Sequence, residues 1–168
     1  MSFKEIPAES LQENPFHLIG KEWMLVTAEK EGKLSTMTAS WGGLGVMWNK
    51  NSAFIALRPQ RYTKEFVDAS SHLSLSFLDE THRKELAYCG RVSGRDEDKI
   101  SHCGFTVAHE GETPYFEEAR LVLICKKRFA QPYKADSFID PEIMECYEKK
   151  DYHTLYILEI EKVLVKEK

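Results

Sequence analysis

The chain has no basic excess, no long apolar run and no paired cysteine motif, and each absence removes a class of function. Lysine and arginine number 23 against 27 aspartates and glutamates, for a net charge of −4. The basic footprint that nucleic acid or an anionic membrane needs is therefore missing, although a local basic pocket for a phosphate is not excluded. No stretch is apolar for long enough to span a bilayer. The opening residues, with Lys4, Glu5 and Glu9, lack the apolar segment of an export signal. The expectation is a cytoplasmic protein with no nucleic-acid and no membrane partner. Cys89, Cys103, Cys125 and Cys146 form no C-x-x-C pair, which argues against a zinc ribbon or a thioredoxin-type motif. They are expected as reduced thiols acting as small buried hydrophobes. His82, Cys89 and His102-Cys103 have no metal-ligand spacing, so no metal is expected. G-x-S-x-G, Walker A, H-E-x-x-H and G-x-G-x-x-G are all missing. No carboxylate pair stands apart in apolar surroundings as a glycosidase dyad would.

What is present suits one compact domain spanning residues 1–168, with 42% hydrophobic and 30% charged residues. No repeat, linker or low-complexity tract interrupts it. Asn14-Pro15 predicts the start of a short helix ending near Gly20. Trp23 to Ala28 is strand-like, and Glu31-Gly32 marks a hairpin turn. Leu34 to Trp48 alternates in part, broken by Gly42, Gly43 and Gly45, which suggests a bulge or backbone lying close to a ligand. A turn at Asn49–Ser52 leads to a strand at Ala53–Leu57. Tyr62 to Ala69 reads as a helix with Phe66 and Val67 inward. Leu73, Leu75 and Phe77 alternate with Ser74, Ser76 and Leu78 as a strand. Glu80 to Cys89 reads as a helix with Gly90 at C′. Ser93 to Asp96 fits a capping box opening a helix that ends before Gly104. Leu121 to Cys125 is an apolar strand, Asp140-Pro141 opens a helix to about Lys150, and Tyr152 to Val165 is a closing strand. Its core candidates are Ile157, Ile160, Val163 and Val165. Many strands with short helices between them predict a mainly β fold, an antiparallel β-barrel with helical decoration.

Four clusters have chemical potential. Thr36, Thr38 and Ser40 share one strand face, because side chains repeat every two residues. With Ala39, Trp41 and the nearby glycines they would let a flat ligand approach; the plain alternative is a solvated hydroxyl face. Arg58 and Arg61 lie at a strand–helix junction with Gln60, Tyr62 and Thr63. Guanidinium forks and a helix N-terminus suit a phosphate; the alternative is pairing with nearby carboxylates. The run Cys89 to Asp96 with Lys99 offers a glycine-containing loop and basic side chains. Capping alone explains Ser93 and Asp96, but not Arg91, Arg95 or Lys99. His153, entering the last strand, could donate to a ligand or shuttle a proton.

Taken in order, Thr36-Met-Thr-Ala-Ser-Trp-Gly-Gly-Leu-Gly-Val-Met-Trp48, Arg58-Pro-Gln-Arg-Tyr-Thr63, Cys89-Gly-Arg-Val-Ser-Gly-Arg-Asp96, Pro114 to Leu121 and Tyr152-His-Thr154 resemble the flavin reductase-like, flavoredoxin-type proteins over roughly residues 14–165. The resemblance implies an FMN-binding split barrel, usually a homodimer with flavin near the subunit interface. By position, Thr38, Ala39, Ser40 and Trp41 would line the isoalloxazine and ribityl region. Arg58, Arg61, Tyr62 and Thr63 would hold the phosphate, with Gln60 among the cofactor contacts. Ser93, Gly94 and Lys99 would close the site, and His153 would lie at the reactive face as the catalytic candidate. The chain departs from the pattern at Ser35, where asparagine is common, at Asn51 for proline and at Leu158 for glycine. Two function classes follow. One is an NAD(P)H-dependent flavin reductase, with NADH or NADPH as donor. The other is an FMN electron carrier reduced by an electron-transfer protein, without its own nicotinamide site.

Overall fold

The computed structural model describes residues 2–167. Strand β1 (Phe3–Ile6) precedes α1 (Pro15–His17), where the Asn14 side chain accepts from the amides of Phe16 and His17 and Pro15 occupies the first turn. A π-helical turn, Leu18–Glu22, carries the chain past the expected end at Gly20. β2 (Met24–Lys30) and β3 (Lys33–Ala39) form a hairpin through Glu31 and Gly32, whose φ angles are 51° and 74°. Positive φ at both positions twists the turn with its strands.

β4 (Gly42–Met47) and β5 (Lys50–Leu57) form a second hairpin. Its turn is Trp48–Asn49, with φ 51° and 57°, and so starts before the expected Asn49–Ser52. The glycines of β4 also have a cause other than a ligand. A Cβ on Gly42 would lie 2.1 Å from the Phe54 carbonyl oxygen of β5, so strand-to-strand approach demands glycine there.

α2 (Tyr62–Ala69) has the expected bounds, with Phe66 and Val67 buried. β6 (His72–Phe77) alternates in sequence, yet both faces are covered, and the Ser74 hydroxyl donates to the Pro114 carbonyl at 2.6 Å. Two helix expectations are corrected. α3 (Arg83–Arg91) runs through Gly90, whose missing Cβ makes room for Thr38, 3.3 Å from where it would sit. α4 (Lys99–Cys103) starts at Asp98, whose side chain accepts from the Ser101 amide; Ser93 instead accepts from the Arg95 amide in a turn. Gly104, at φ 67°, ends α4 as expected.

β7 (Val107–Glu110) and β8 (Thr113–Phe116) make a separate hairpin, and β9 (Leu121–Pro132) and β10 (Thr154–Lys166) are the longest strands. Between these two, Asp140 caps a 3-10 helix, Pro141–Tyr147, where an α-helix to Lys150 was expected.

The large sheet is antiparallel, ordered β3-β2-β6-β9-β10-β5-β4 with β1 on β10. Its two ends, β3 and β4, are not paired with each other although only Ser40 and Trp41 separate them in sequence. The β9–β10 ladder shifts register twice, leaving Arg128 and Glu161 without partners. Such bulges bend a strand. One core cluster contains Met24, Leu57, Leu75, Tyr156 and Leu158; the other packs Leu86, Cys89, Phe105 and Phe116 against Val122 and Ile124. No helix among the described residues is long and apolar enough to cross a membrane.

Candidate functional site

The end of β3 opens onto a cleft of about 180 Å³. Seven of the expected site residues line it: Thr38 to Trp41 from β3 and its exit, Arg58 after β5, Arg61 before α2, and His153 before β10, with Met37 and Ala56 completing the wall. Among the described residues only β2 pairs with β3, so the outer backbone edge of β3 has no strand partner there. The Thr38 hydroxyl donates to the Leu86 carbonyl at 2.5 Å, which ties β3 to α3. Thr36, on the same strand face, is buried and bonded to Thr27 at 2.9 Å, so it belongs to the core. The Ser40 hydroxyl has no partner among the described residues.

The cations are arranged around the last carbonyls of α3. Arg61 donates to Gly90 at 2.7 Å and Cys89 at 3.4 Å, and Lys99 donates to the same Cys89 carbonyl at 2.9 Å. These contacts complement the negative end of the helix. Lys99 is buried, and burial pulls its pKa down to about 8, with Arg61 also opposing its charge. Burial lowers Arg61 as well. Neither cation pairs with a carboxylate among the described residues. Lys99 and Gly94 line a second cavity, about 530 Å³, along Lys33 to Thr36 of β3.

Arg58 differs. It pairs with Asp151 at 2.8 Å, donates to the Cys146 carbonyl at 3.0 Å and lies over the Tyr147 ring. Gln60 donates to the same Asp151 oxygen at 2.8 Å. Hydrogen bonds from Gln60 and Arg58 hold the Asp151 carboxyl below its usual range. Carboxylate pairing, the alternative weighed for both arginines, therefore holds for Arg58 alone.

His153 is buried with its Nδ1 2.7 Å from the Tyr147 hydroxyl and its ring 4.8 Å from that of Trp41. Burial and the neighbouring Arg58 push its pKa down to about 4, against a raising effect of Asp151, so the imidazole is neutral at pH 7. When Tyr147 donates to Nδ1, the proton sits on Nε2, which has no hydrogen-bond partner among the described residues.

Four expected residues face neither cavity. Thr63 is buried and bonded to Ser35 at 2.8 Å, so the serine that departs from the family pattern serves α2. Tyr62 accepts from Lys33 at 3.2 Å and packs on Phe66, while Gln60 and Ser93 make the local bonds given above. Sequence reasoning missed Asp151 and Tyr147. Asp151, two residues before His153, offered a charge signal; Tyr147 lies in a 3-10 segment with no periodicity to mark it.

The pattern of the Flavin reductase like domain family matches residues 16–168. The chain belongs to this family. Among curated proteins nothing matches the sequence. The family's fold is evident in solved structures. The FMN-binding domain of a flavin reductases-like enzyme from Shewanella baltica OS155 superposes with TM-score 0.70 at 17% identity, covering 97% of this chain and 76% of that one. Flavoredoxin from Methanosarcina acetivorans gives TM-score 0.68 at 22% identity, covering 95% and 77%. The styrene monooxygenase flavin reductase from Pseudomonas putida S12 gives 0.63 at 16%, covering 87% and 80%. The family fold is the expected split barrel, and the large sheet of this chain ends at β3 and β4 without joining them.

Proposed function

We propose that the chain binds FMN along the outer edge of β3 and works as an oxidoreductase, taking hydride from NADH or NADPH. The observation that carries this reading is that buried Lys99 and half-buried Arg61 share one carbonyl with no carboxylate beside them among the described residues. Buried charge of one sign is costly unless an anion compensates it, and a phosphate would do so. The rest of the donor set fits a phosphorylated flat heterocycle. The free edge of β3 offers alternating N–H and C=O groups, Ser40 an unused hydroxyl, and Trp41 a half-exposed ring beside His153. Arg58 and Arg61 each retain N–H donors beyond the two bonds the fold uses.

Bound FMN would supply the hydride and electron chemistry, so no protein nucleophile is needed. The protein's part is to bind and orient. Arg61 and Lys99 would hold the phosphate, Asp151 keeps Arg58 turned toward the cleft wall, and the β3 edge would fix the ring plane. Neutral His153 would present its Nε2 proton as a donor beside Trp41.

The cleft is smaller than the roughly 300–1,000 Å³ of most ligand pockets. We assign the missing wall to a second copy of the chain. Val46, Met47, Trp48 and Phe129 are exposed apolar side chains of the β4–β5 hairpin and β9, the Trp48 and Phe129 rings lie 6.0 Å apart, and Trp41 at the cleft is exposed too.

The test is an anaerobic spectrum of FMN-loaded protein mixed with NADH and then NADPH. Bleaching of the flavin band by either supports the reductase and names its donor. Reduction by dithionite alone replaces it with a carrier fed by a partner protein. Failure to bind FMN on titration overturns the flavin assignment.

A further inference from the structure

α3 and α4 bring together two cysteines that the sequence presents as isolated hydrophobes. The sulfur atoms of Cys89 and Cys103 lie 3.7 Å apart, and both are free thiols. A disulfide, at about 2.05 Å, needs them closer by less than ~2 Å. Cys89 is fully buried in the core cluster of Leu86, Phe105 and Phe116, while Cys103, packed on the same cluster, is partly exposed. One thiol can be reached from solvent and the other waits in contact with it. We propose that Cys89 and Cys103 form a site of reversible oxidation that closes to a disulfide when hydrogen peroxide reaches Cys103.

In the first step the Cys103 sulfur, as thiolate, attacks a peroxide oxygen. An S–O bond forms, the O–O bond breaks, and hydroxide leaves to become water with the proton the thiol released. In the second step the Cys89 sulfur attacks the Cys103 sulfur. The S–S bond forms, the S–O bond breaks, and a second water leaves with the Cys89 proton. The two thiols lose two electrons and two protons, and the peroxide is reduced to two waters. Cys89 needs no access of its own, because its target is its contact partner.

The titratable and charged groups facing the pair are Glu85 and Tyr88 of α3, Lys99 of α4 and Arg61 before α2. Burial raises both thiols, Cys89 to about 12, with Glu85 adding to the rise and Lys99 opposing it. Thiolate is scarce at neutral pH, so closure is slow and its rate climbs about tenfold per pH unit above neutrality. Once closed, the bridge ties α4 to the end of α3 whose Cys89 carbonyl holds Arg61 and Lys99. A reduced flavin passes electrons to dioxygen, so under the reading above the protein would generate peroxide itself. The site does not depend on that reading, because the test supplies the oxidant.

The full chain is used with Cys146→Ser, which removes the exposed cysteine as a competitor. It is treated with hydrogen peroxide, denatured in an alkylating agent and mapped as peptides without reduction. The expected product is one peptide pair joined through Cys89 and Cys103, lighter by two hydrogen atoms, reopened by dithiothreitol and absent from the Cys103→Ser chain. Oxidation of Cys103 with Cys89 still alkylated, or both thiols free at a peroxide dose that oxidises exposed methionine, overturns the proposal. The Cys146→Ser chain alone decides this, whatever the folding of the second variant.

Discussion

Lys99 carries its charge into the fold against a carbonyl, a second cation and two thiols. Two predictions follow at the residue scale. Arg61→Ala should weaken FMN by about 1.5–3 kcal/mol, the worth of a charge-assisted bond, and riboflavin far less; equal losses in parallel titrations would make Arg61 purely structural. Lys99 should link flavin binding to pH. Its folded pKa lies near 8, below the unfolded value of 10.5. Between these values the unfolded chain binds the extra proton, so the burial penalty weighs on stability below pH 8 and is relieved as pH rises to 10.5. A bound phosphate needs the charged form, so FMN affinity should fall by up to about tenfold per pH unit above pH 8. Lys99→Met should abolish that slope and leave the flavin-free protein more heat-stable at pH 7. The arginines and Lys99 were legible because a few cations at a strand–helix junction and a capped loop stand out in an acidic chain. What each cation rests on was not, since the α3 carbonyls and Asp151 reach them only through the tertiary fold.

Elements explain where sequence reading succeeded. α2 was legible to the residue because polar termini bracket an amphipathic segment, and the Glu31–Gly32 turn because a positive φ needs such residues. The start of α4 was misplaced because Ser93 and Asp98 both suit a cap and only one of them has a helix after it. Asp98→Ala should cost about 1 kcal/mol of stability in urea unfolding. Gly90 was read as a helix stop, whereas its role is to admit Thr38. Gly42 is the sharper case. Gly42→Ala would place a methyl against the Phe54 carbonyl, so the β4–β5 pairing must open, costing about 2 kcal/mol or more. Unchanged urea midpoints would show that β4 can shift freely.

For the molecule as a whole, the mainly β character and the antiparallel barrel were legible from strand number and spacing, and the split only through the family resemblance, since pairing between distant strands leaves no local signal. The second copy proposed for the β4–β5 end makes Val46→Asp a test. The variant should run as a monomer in gel filtration and bind FMN more weakly while its circular dichroism stays unchanged. Acid stability is also a whole-molecule property. His153 is neutral in the fold down to about pH 4 but takes a proton near 6.5 when unfolded. Stability therefore falls as pH drops through that window, by up to about 3 kcal/mol from this residue. The lowered carboxyls of Glu13 and Asp68 add loss of the same sign further into acid. His153→Gln should flatten the slope of melting temperature between pH 6.5 and 4. The second bulge of the β9–β10 ladder also bears on how this gene could change length. Tyr156, Leu158 and Ile160 face the Met24–Leu75 core cluster on even numbers, but Val163 and Val165 do so on odd ones. Glu161 is thus a supernumerary beat in an otherwise unbroken in–out rhythm, its carboxylate paired with His72 at the surface. A deletion of Glu161 would leave every later side chain on its own face, whereas loss of Glu159 would turn neighbours inside out, so of single-codon losses along this strand the first is the one a lineage could survive.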